Sequence, residues 1–565
     1  MQTKPSRQVL SNLPKAPTGI DGLDEITNGG LPLGRPTLVA GNAGCGKTLL
    51  AMEFLVKGIT EHDEPGVFIS FEESPADLAQ NVASLGYDLN KFIKNKQLLI
   101  DQVAVERSEI EEAGSYDLEG LFIRLGHSID SIGAKRIVLD TMETLFSGFN
   151  NQATLRAELR RLFQWLKQRG MTAIITGERG DTSLTRQGLE EYVSDCVILL
   201  DHRVEEQIST RRLRVVKYRG SVHGTNEYPF LIDEDGITVM PVTSLNLNHS
   251  VSSQRISTGI DQLDVMLGGG LYKGSSVLVS GAAGTGKTNI AGYLVDTACR
   301  AGSKSLYVAF EESPEQIIRN LSSIGVNLGA HAKSGRLQFR AVRSASEGLE
   351  MHLASLYNVV KQFQPEVVVI DPITTLVGSS NPRDVQNMLS RMMDMLKSER
   401  ITCLLTSLTR PGKSLGQTEN IVSSFADTWL QVRGTEFNGE RNRLIYVLKS
   451  RGTAHSNQVR EFIISERGIQ LVNVYLGAEG MLTGSARVAA EAHQKSSELL
   501  RQTKLDGRRQ QLLQEQLALK TQLQTLTTEL ELQEQAIRLH DSIEKERAKY
   551  DAADKAAIKV ARGSK

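Results

Sequence analysis

Two octapeptides carry the most recognisable chemistry in the chain: GNAGCGKT at residues 41–48 and GAAGTGKT at residues 281–288. Both have the spacing of a phosphate-binding P-loop, follow an apolar strand and open a helix. Small residues let backbone N–H groups wrap an anion, and the helix turns its positive end toward it. Lys47 and Lys287 are expected to neutralise the β- and γ-phosphates, and Thr48 and Thr288 to offer a hydroxyl to Mg2+. The expected nucleotide contacts are Gly44, Gly46, Lys47, Thr48 and Leu49 in the first loop. In the second they are Gly284, Thr285, Gly286, Lys287, Thr288 and Asn289.

Such a loop needs an acid at the end of another buried strand. Asp140 in RIVLD and Asp371 in VVVID supply it, each holding a water on the metal. FEES occurs twice, giving the pairs Glu72–Glu73 and Glu311–Glu312, each after an apolar strand. Strand C-terminal ends are where α/β sheets build sites. Adjacent carboxylates repel, which raises one pKa and suits one member of each pair to general-base work. Which member does so is left open.

Lys217, Arg219 and His223 recur as Lys449, Arg451 and His455. Alternate spacing on a strand would aim them one way. Since each P-loop already has its lysine, these groups are expected to reach the nucleotide of a neighbouring subunit, which implies a ring.

The elements that must position these residues are written twice. TGIDGLDEITNGGLPLGRPTLVAGNAGCGKT from Thr18 aligns without a gap with TGIDQLDVMLGGGLYKGSSVLVSGAAGTGKT from Thr258. Each copy alternates apolar runs with longer amphipathic segments, which predicts an α/β fold with a mostly parallel central sheet and flanking helices. The polar stretch SLNLNHSVSSQR, residues 244–255, reads as a linker. The boundaries read as 1–247 for the first domain, 248–487 for the second and 488–565 for a C-terminal helical extension. There Leu519, Leu523, Leu526, Leu530 and Ile537 follow alternating steps of four and three. Gln533 is the polar exception, and Leu505 and Leu512 extend the seven-residue step backwards. That is a coiled-coil pattern.

Composition narrows the classes. The chain is 40% hydrophobic and 23% charged with a net charge of −1, so no global attraction to nucleic acid or an anionic membrane is expected. Cys45, Cys196, Cys299 and Cys403 lie far apart, with no CxxC, which suits a reducing cytoplasm. The N-terminal stretch lacks the apolar run of a signal peptide, and no run is long enough to span a membrane.

The tandem P-loops, the FEES acids and the K-x-R-G-x-x-H stretch together resemble the KaiC family of RecA-like clock ATPases and kinases over about residues 12–487. The resemblance implies ATP/ADP and Mg2+ as cofactors, slow ATP hydrolysis in the first domain, and autophosphorylation in the second across the subunit interface of a homo-hexamer. The second domain would also return the phosphoryl group to ADP. Asp195 with Asp427, and Lys217 with Lys449, share one offset, so Ser423 and Ser424 in VSSFADTW fall opposite Glu191 and Tyr192. By motif they match the family's phosphorylation pair. The best-known members carry Ser-Thr there, and a threonine they place just before the pair is matched by Thr418. The Ser-Ser pair leaves the order of modification open. The tail departs from those members, which end soon after the second domain. Activation by KaiA is therefore not expected to be required, two rings joined through coiled-coil tails are expected instead, and a KaiB-like partner on the first domain is implied.

Two rival readings stand beside this one. A RecA- or DnaB-like DNA motor would need basic pore loops, and the best candidate is the short RRLR at 211–214. An ATP-controlled signalling scaffold would bind nucleotide without phosphorylating itself.

Overall fold

The structure is a computed structural model that describes residues 13–83, 85–103, 119–146, 152–180, 185, 194–205, 208–241, 252–343, 348–377, 382–409, 422–437, 439–477 and 480–563. The chain divides into two compact units, Met1–Glu436 with Arg441–Asn473, and Phe437–Glu440 with Val474–Lys565.

The first unit holds both repeats, each built on a nine-stranded sheet. In the first repeat the P-loop strand Pro36–Gly41 lies between Thr172–Glu178 and Cys196–Glu205. Arg136–Asp140, Gly66–Ser70 and Leu98–Gln102 follow on one side, all parallel. Ile208–Tyr218, Glu227–Asp233 and Gly236–Val239 continue antiparallel on the other side. The second repeat has the same order around Ser276–Gly281. This is the expected α/β architecture, with an antiparallel edge that the apolar pattern did not announce.

Alternation along the strands builds a core on each face. Phe68 packs with Leu50, Phe54 and Leu55 of the P-loop helix Lys47–His62. Its neighbours Val67 and Ile69 pack against Leu125, Leu159 and Leu162 on the other face. Each such buried side chain contributes roughly 1.5–3 kcal/mol before entropy is counted. In the second repeat Tyr307 and Val369 take one face, and Leu306, Val308, Val368 and Ile370 the other.

The repeats meet through the apolar Met240 and Leu231, which join a core cluster of the second repeat, and through polar contacts. Arg212 bonds Glu350 (2.8 Å), Asn358 bonds Asp233 (3.1 Å) and Gln362 bonds Asp235 (2.8 Å). Glu350, Asn358 and Gln362 all lie on the helix Leu349–Phe363.

The second unit is a short hairpin, Tyr475–Gly477 with Gly480–Leu482, followed by one helix, Gly484–Arg562. At 79 residues the helix is about 118 Å long. No residue on it is buried in the single chain, and Leu519, Leu523 and Leu526 are each 61–65% exposed. No helix among the described residues is long and apolar enough to cross a membrane.

Candidate functional site

Each P-loop wraps from a fully buried strand into its helix through glycines with left-handed backbones. Gly46 has φ 102° and Gly286 φ 98°. A Cβ on Gly46 would meet Ile232 Cδ1 at 2.8 Å, and one on Gly286 would meet Phe462 Cε1 at 2.7 Å. Glycine is therefore required there both by conformation and by the close approach of an antiparallel strand. Gly44 and Gly284 also have positive φ but open surroundings.

The P-loop lysines are buried and fold back onto their own loops. Lys47 Nζ donates to the carbonyls of Gly41 (2.9 Å) and Asn42 (3.0 Å), and Lys287 Nζ to those of Gly281 (2.9 Å) and Ala282 (2.8 Å). Burial pushes the Lys287 ammonium down in pKa, while Asp371 and Glu311 pull it back up. Thr48 Oγ1 donates to Asp140 Oδ2 at 2.8 Å, and Thr176 holds the other oxygen. A hydroxyl beside a carboxylate is the hard oxygen donor set that Mg2+ takes, so these residues fit that ion. Thr288 and Asp371 repeat the donor types, with Thr406 and Tyr307 bonded to Asp371. Leu49 and Asn289 follow within the helices.

The FEES acids diverge within each pair. Asn81 Nδ2 donates to Glu73 (3.0 Å), and Asn320 Nδ2 to Glu312 (3.1 Å), tying the second acid to the following helix in both repeats. The first acid of each pair faces the strand-end aspartate of its repeat. Thr144 Oγ1 donates to Glu72 at 2.5 Å, and Glu72 also acts on the Asp140 carboxyl, whose pKa burial raises. Glu311 is pushed up by burial, then by Asp371 and Glu312, with Lys287 opposing.

The cationic triplets are not all on strands. The strands end at Tyr218 and Ser450, so only Lys217 and Lys449 lie within them. Arg219, His223, Arg451 and His455 belong to the turns that follow, which corrects the expectation of one strand face aiming all three. The backbone N–H groups of Arg219 and Arg451 are tied to the carbonyls of Asp195 and Asp427 (both 2.9 Å). In register, Tyr218 pairs with Cys196, and Cys196 with Thr37, at the start of the P-loop strand. The triplet thus sits at the end of the sheet opposite its own P-loop.

The two serines share that end. Val422–Phe425 forms one helical turn just before the strand Thr428–Phe437, whose Thr428 pairs with Val277. Lys449 Nζ donates to the carbonyl of Ser423 (2.9 Å), and Arg451 to that of Ser424 (3.1 Å). Asp427 ties the cluster together through Lys397 (3.0 Å) and Arg451 (3.6 Å). Four residue steps of strand separate Val277 from Gly281, about 13 Å. Glu191, Tyr192 and Thr418 lie outside the described residues.

Sequence reasoning passed over Arg443 and read Arg211 only as part of RRLR. Arg443 Nε donates to the carbonyl of Gly284 (3.4 Å), and Arg211 lies close enough to the P-loop to act on the Cys45 thiol. They occupy equivalent places beside the two loops. The only signal was their position six residues before each strand lysine. Within RRLR, Arg212 bonds Glu227 (3.0 Å) and Glu350.

The comparisons agree with this geometry. The family model described as "ATPase: KaiC" matches twice, over residues 16–244 and 256–474. The chain is 53% identical over 556 residues to "Circadian clock protein KaiC2" of Synechocystis sp. (strain ATCC 27184 / PCC 6803 / Kazusa), covering 98% of each chain and so including the long helix. It is 37% identical over 481 residues to "Circadian clock oscillator protein KaiC" of Parathermosynechococcus lividus, covering 84% of this chain and 88% of the relative. It is 36% identical over 487 residues to the protein of the same name from Thermostichus vulcanus, covering 86% and 94%. Two P-loop sites on two copies of one fold, matched twice by one family, place this chain in the KaiC ATPase family.

Proposed function

We propose that this chain is a clock- or timer-type ATPase and autokinase, in which the first domain hydrolyses ATP and the second phosphorylates Ser423 and Ser424 of a neighbouring subunit. The carrying observation is the separation within one domain. The serines, Lys449 and Arg451 cluster at one end of the sheet and the P-loop lies at the other, so a second-domain ATP is out of reach of its own serines. A neighbour presenting its P-loop to this cluster would bring phosphate, cations and hydroxyls together.

The transfer then follows from residue types. Lys287 leaves its loop carbonyls for the phosphates. Glu311, the acid facing Lys287 and Asp371, takes the hydroxyl proton of the incoming serine. The serine Oγ forms a bond to the γ-phosphorus as the bond to ADP breaks. Bound Mg2+, held through Thr288 and Asp371 or through Thr48 and Asp140, would neutralise the phosphate oxygens. Glu72 plays the Glu311 part in the first domain, with water in place of serine. Lys449, Arg451 and His455, with Lys217, Arg219 and His223, serve the neighbour's nucleotide. Run backwards, the second-domain step returns the phosphoryl group to ADP.

The assembly proposed is a homo-hexamer. Exposed leucines at heptad spacing on Gly484–Arg562 support a coiled coil joining two rings, with activation that needs no KaiA. A KaiB-like partner on the first domain and the domain boundaries at 247/248 and 487/488 belong to the same reading. All four cysteines are buried free thiols, which supports a cytoplasmic setting.

The test mixes two inactive chains with Mg2+-ATP and maps phosphopeptides. Lys287→Ala cannot donate, and Ser423→Ala/Ser424→Ala cannot accept. Phosphate should appear on the serines of the Lys287→Ala chain only in the mixture. ATP turnover by the parent with both serines unmodified would sink the kinase reading and favour the scaffold.

A further inference from the structure

The two metal-site aspartates are built alike except at one oxygen. Thr176 occupies Oδ1 of Asp140, and Thr406 occupies Oδ1 of Asp371. The remaining oxygen is treated differently. In the first repeat Oδ2 of Asp140 accepts from Thr48, the P-loop hydroxyl, at 2.8 Å. In the second, Oδ2 of Asp371 accepts from the Tyr307 hydroxyl at 2.6 Å.

Tyr307 stands on the strand Ser305–Ala309, two residues from the strand end that pairs with Asp371. Its ring lies 5.6 Å from that of Phe339 on the next strand. The matching position of the first repeat is Phe68, and both rings are fully buried. The same pocket thus takes a ring with a donor in one repeat and without one in the other. Both carboxylates accept two hydroxyl protons, but the second donor to Asp140 is the P-loop threonine itself, whereas the second donor to Asp371 is a ring hydroxyl fixed in the core, which leaves that oxygen with less capacity for a metal-bound water or the P-loop threonine.

We propose that Tyr307 is a positioning residue of the second nucleotide site: by occupying the open oxygen of Asp371 it loosens that site's hold on the divalent cation relative to the first site. The inference rests on the reading that both P-loops bind nucleotide with a divalent cation.

The test uses the full chain, the non-hydrolysable analogue AMP-PNP, and Mn2+ in place of Mg2+, with free Mn2+ read by its paramagnetic resonance. The parent should bind two Mn2+ per chain in two affinity classes about tenfold apart, the size that outer-shell partners of metal ligands commonly produce. Tyr307→Phe should merge them into one tight class, and Phe68→Tyr into one weak class. Tyr307→Phe affinities that stay unchanged, or weaken, overturn the proposal. Fewer than two Mn2+ per parent chain overturns the assignment of the P-loops, and the proposal with it. Circular dichroism of Tyr307→Phe, expected to match the parent, separates these outcomes from misfolding.

Discussion

Ile237 and Ile469 hold the same place in the two repeats, and the backbone N–H of each is taken by a side chain from the P-loop helix. In the first repeat the acceptor is the Glu53 carboxylate (2.8 Å), and in the second the Tyr293 hydroxyl (3.0 Å). A second exchange runs beside it. Arg136 is fully buried at the start of its strand. It bonds Glu64 (2.6 Å) and the carbonyls of Phe54 and Pro17 (both 2.8 Å) and lies over the Phe54 ring. The second repeat has Val367 at that place. Gly58 makes room for the guanidinium, since a Cβ there would come within 2.5 Å of it, and the matching residue of the second repeat is Ala298. The backbone plan is therefore kept while its buried polar contacts are reassigned. The first repeat spends charged groups where the second uses neutral ones.

The largest way to break the comparison is at the acids that face the P-loops. Glu311→Gln should lower serine phosphorylation by about 10²–10⁴-fold, while the first domain continues to hydrolyse ATP. Glu72→Gln should do the converse. Phosphopeptide mapping and a phosphate-release assay on the same samples read both, and equal losses in both activities from either variant would show that the repeats do not divide the work.

Next comes the buried arginine. Arg136→Val strips Glu64 and two backbone carbonyls of their donor and should cost about 3 kcal/mol. Adding Gly58→Ala, the partner residue of the second repeat, should recover part of that loss, because the space left by the guanidinium accepts the methyl group. Thermal unfolding of the two variants measures the difference. A double variant no better than the single one breaks the idea that these positions exchanged together.

Glu53 sharpens the contrast through pH. Burial raises its carboxyl from 4.5 to about 7, against the opposing Ile237 N–H and Lys57. A carboxyl raised on folding binds its proton more tightly in the native state. Its contribution is therefore fully present below about pH 4.5 and is lost as pH rises through about 7. The full swing is up to about 3 kcal/mol. Glu53→Gln should flatten this pH dependence of the first domain's unfolding. Tyr293→Phe should leave the slope across that window unchanged. The smallest effect is expected at the acids tied to helix asparagines: Glu73→Gln and Glu312→Gln should change either activity by less than about threefold.

What could be read in advance follows from how far apart the cooperating residues lie in sequence. GNAGCGKT and GAAGTGKT are contiguous, and their strand, loop and helix are built from the same few residues, so the string specifies the site. Asp140 and Asp371 were legible because a buried strand ending in an acid is also local. The contacts of Tyr307 with Asp371, Arg443 with Gly284, and Glu53 with Ile237 were not legible. Each depends on which strands pair and in what register, and one residue of slip turns every side chain to the other face. The cationic triplets show the limit from the other side. Their spacing was read correctly, but the strand ended one residue after the lysine, and two-residue periodicity has no meaning in a turn.

The serines and the P-loop of the second repeat stand at opposite ends of one sheet, and this has an arithmetic consequence for any head-to-tail assembly. Under the transfer proposed between subunits, an open row would have one terminal acceptor with no donor facing it, so one of its chains would stay unmodified. Closure into a ring removes that chain. The highest phosphate occupancy a preparation reached would then count its loose ends, and a phosphorylation assay run to completion would be a census of open rows and closed rings.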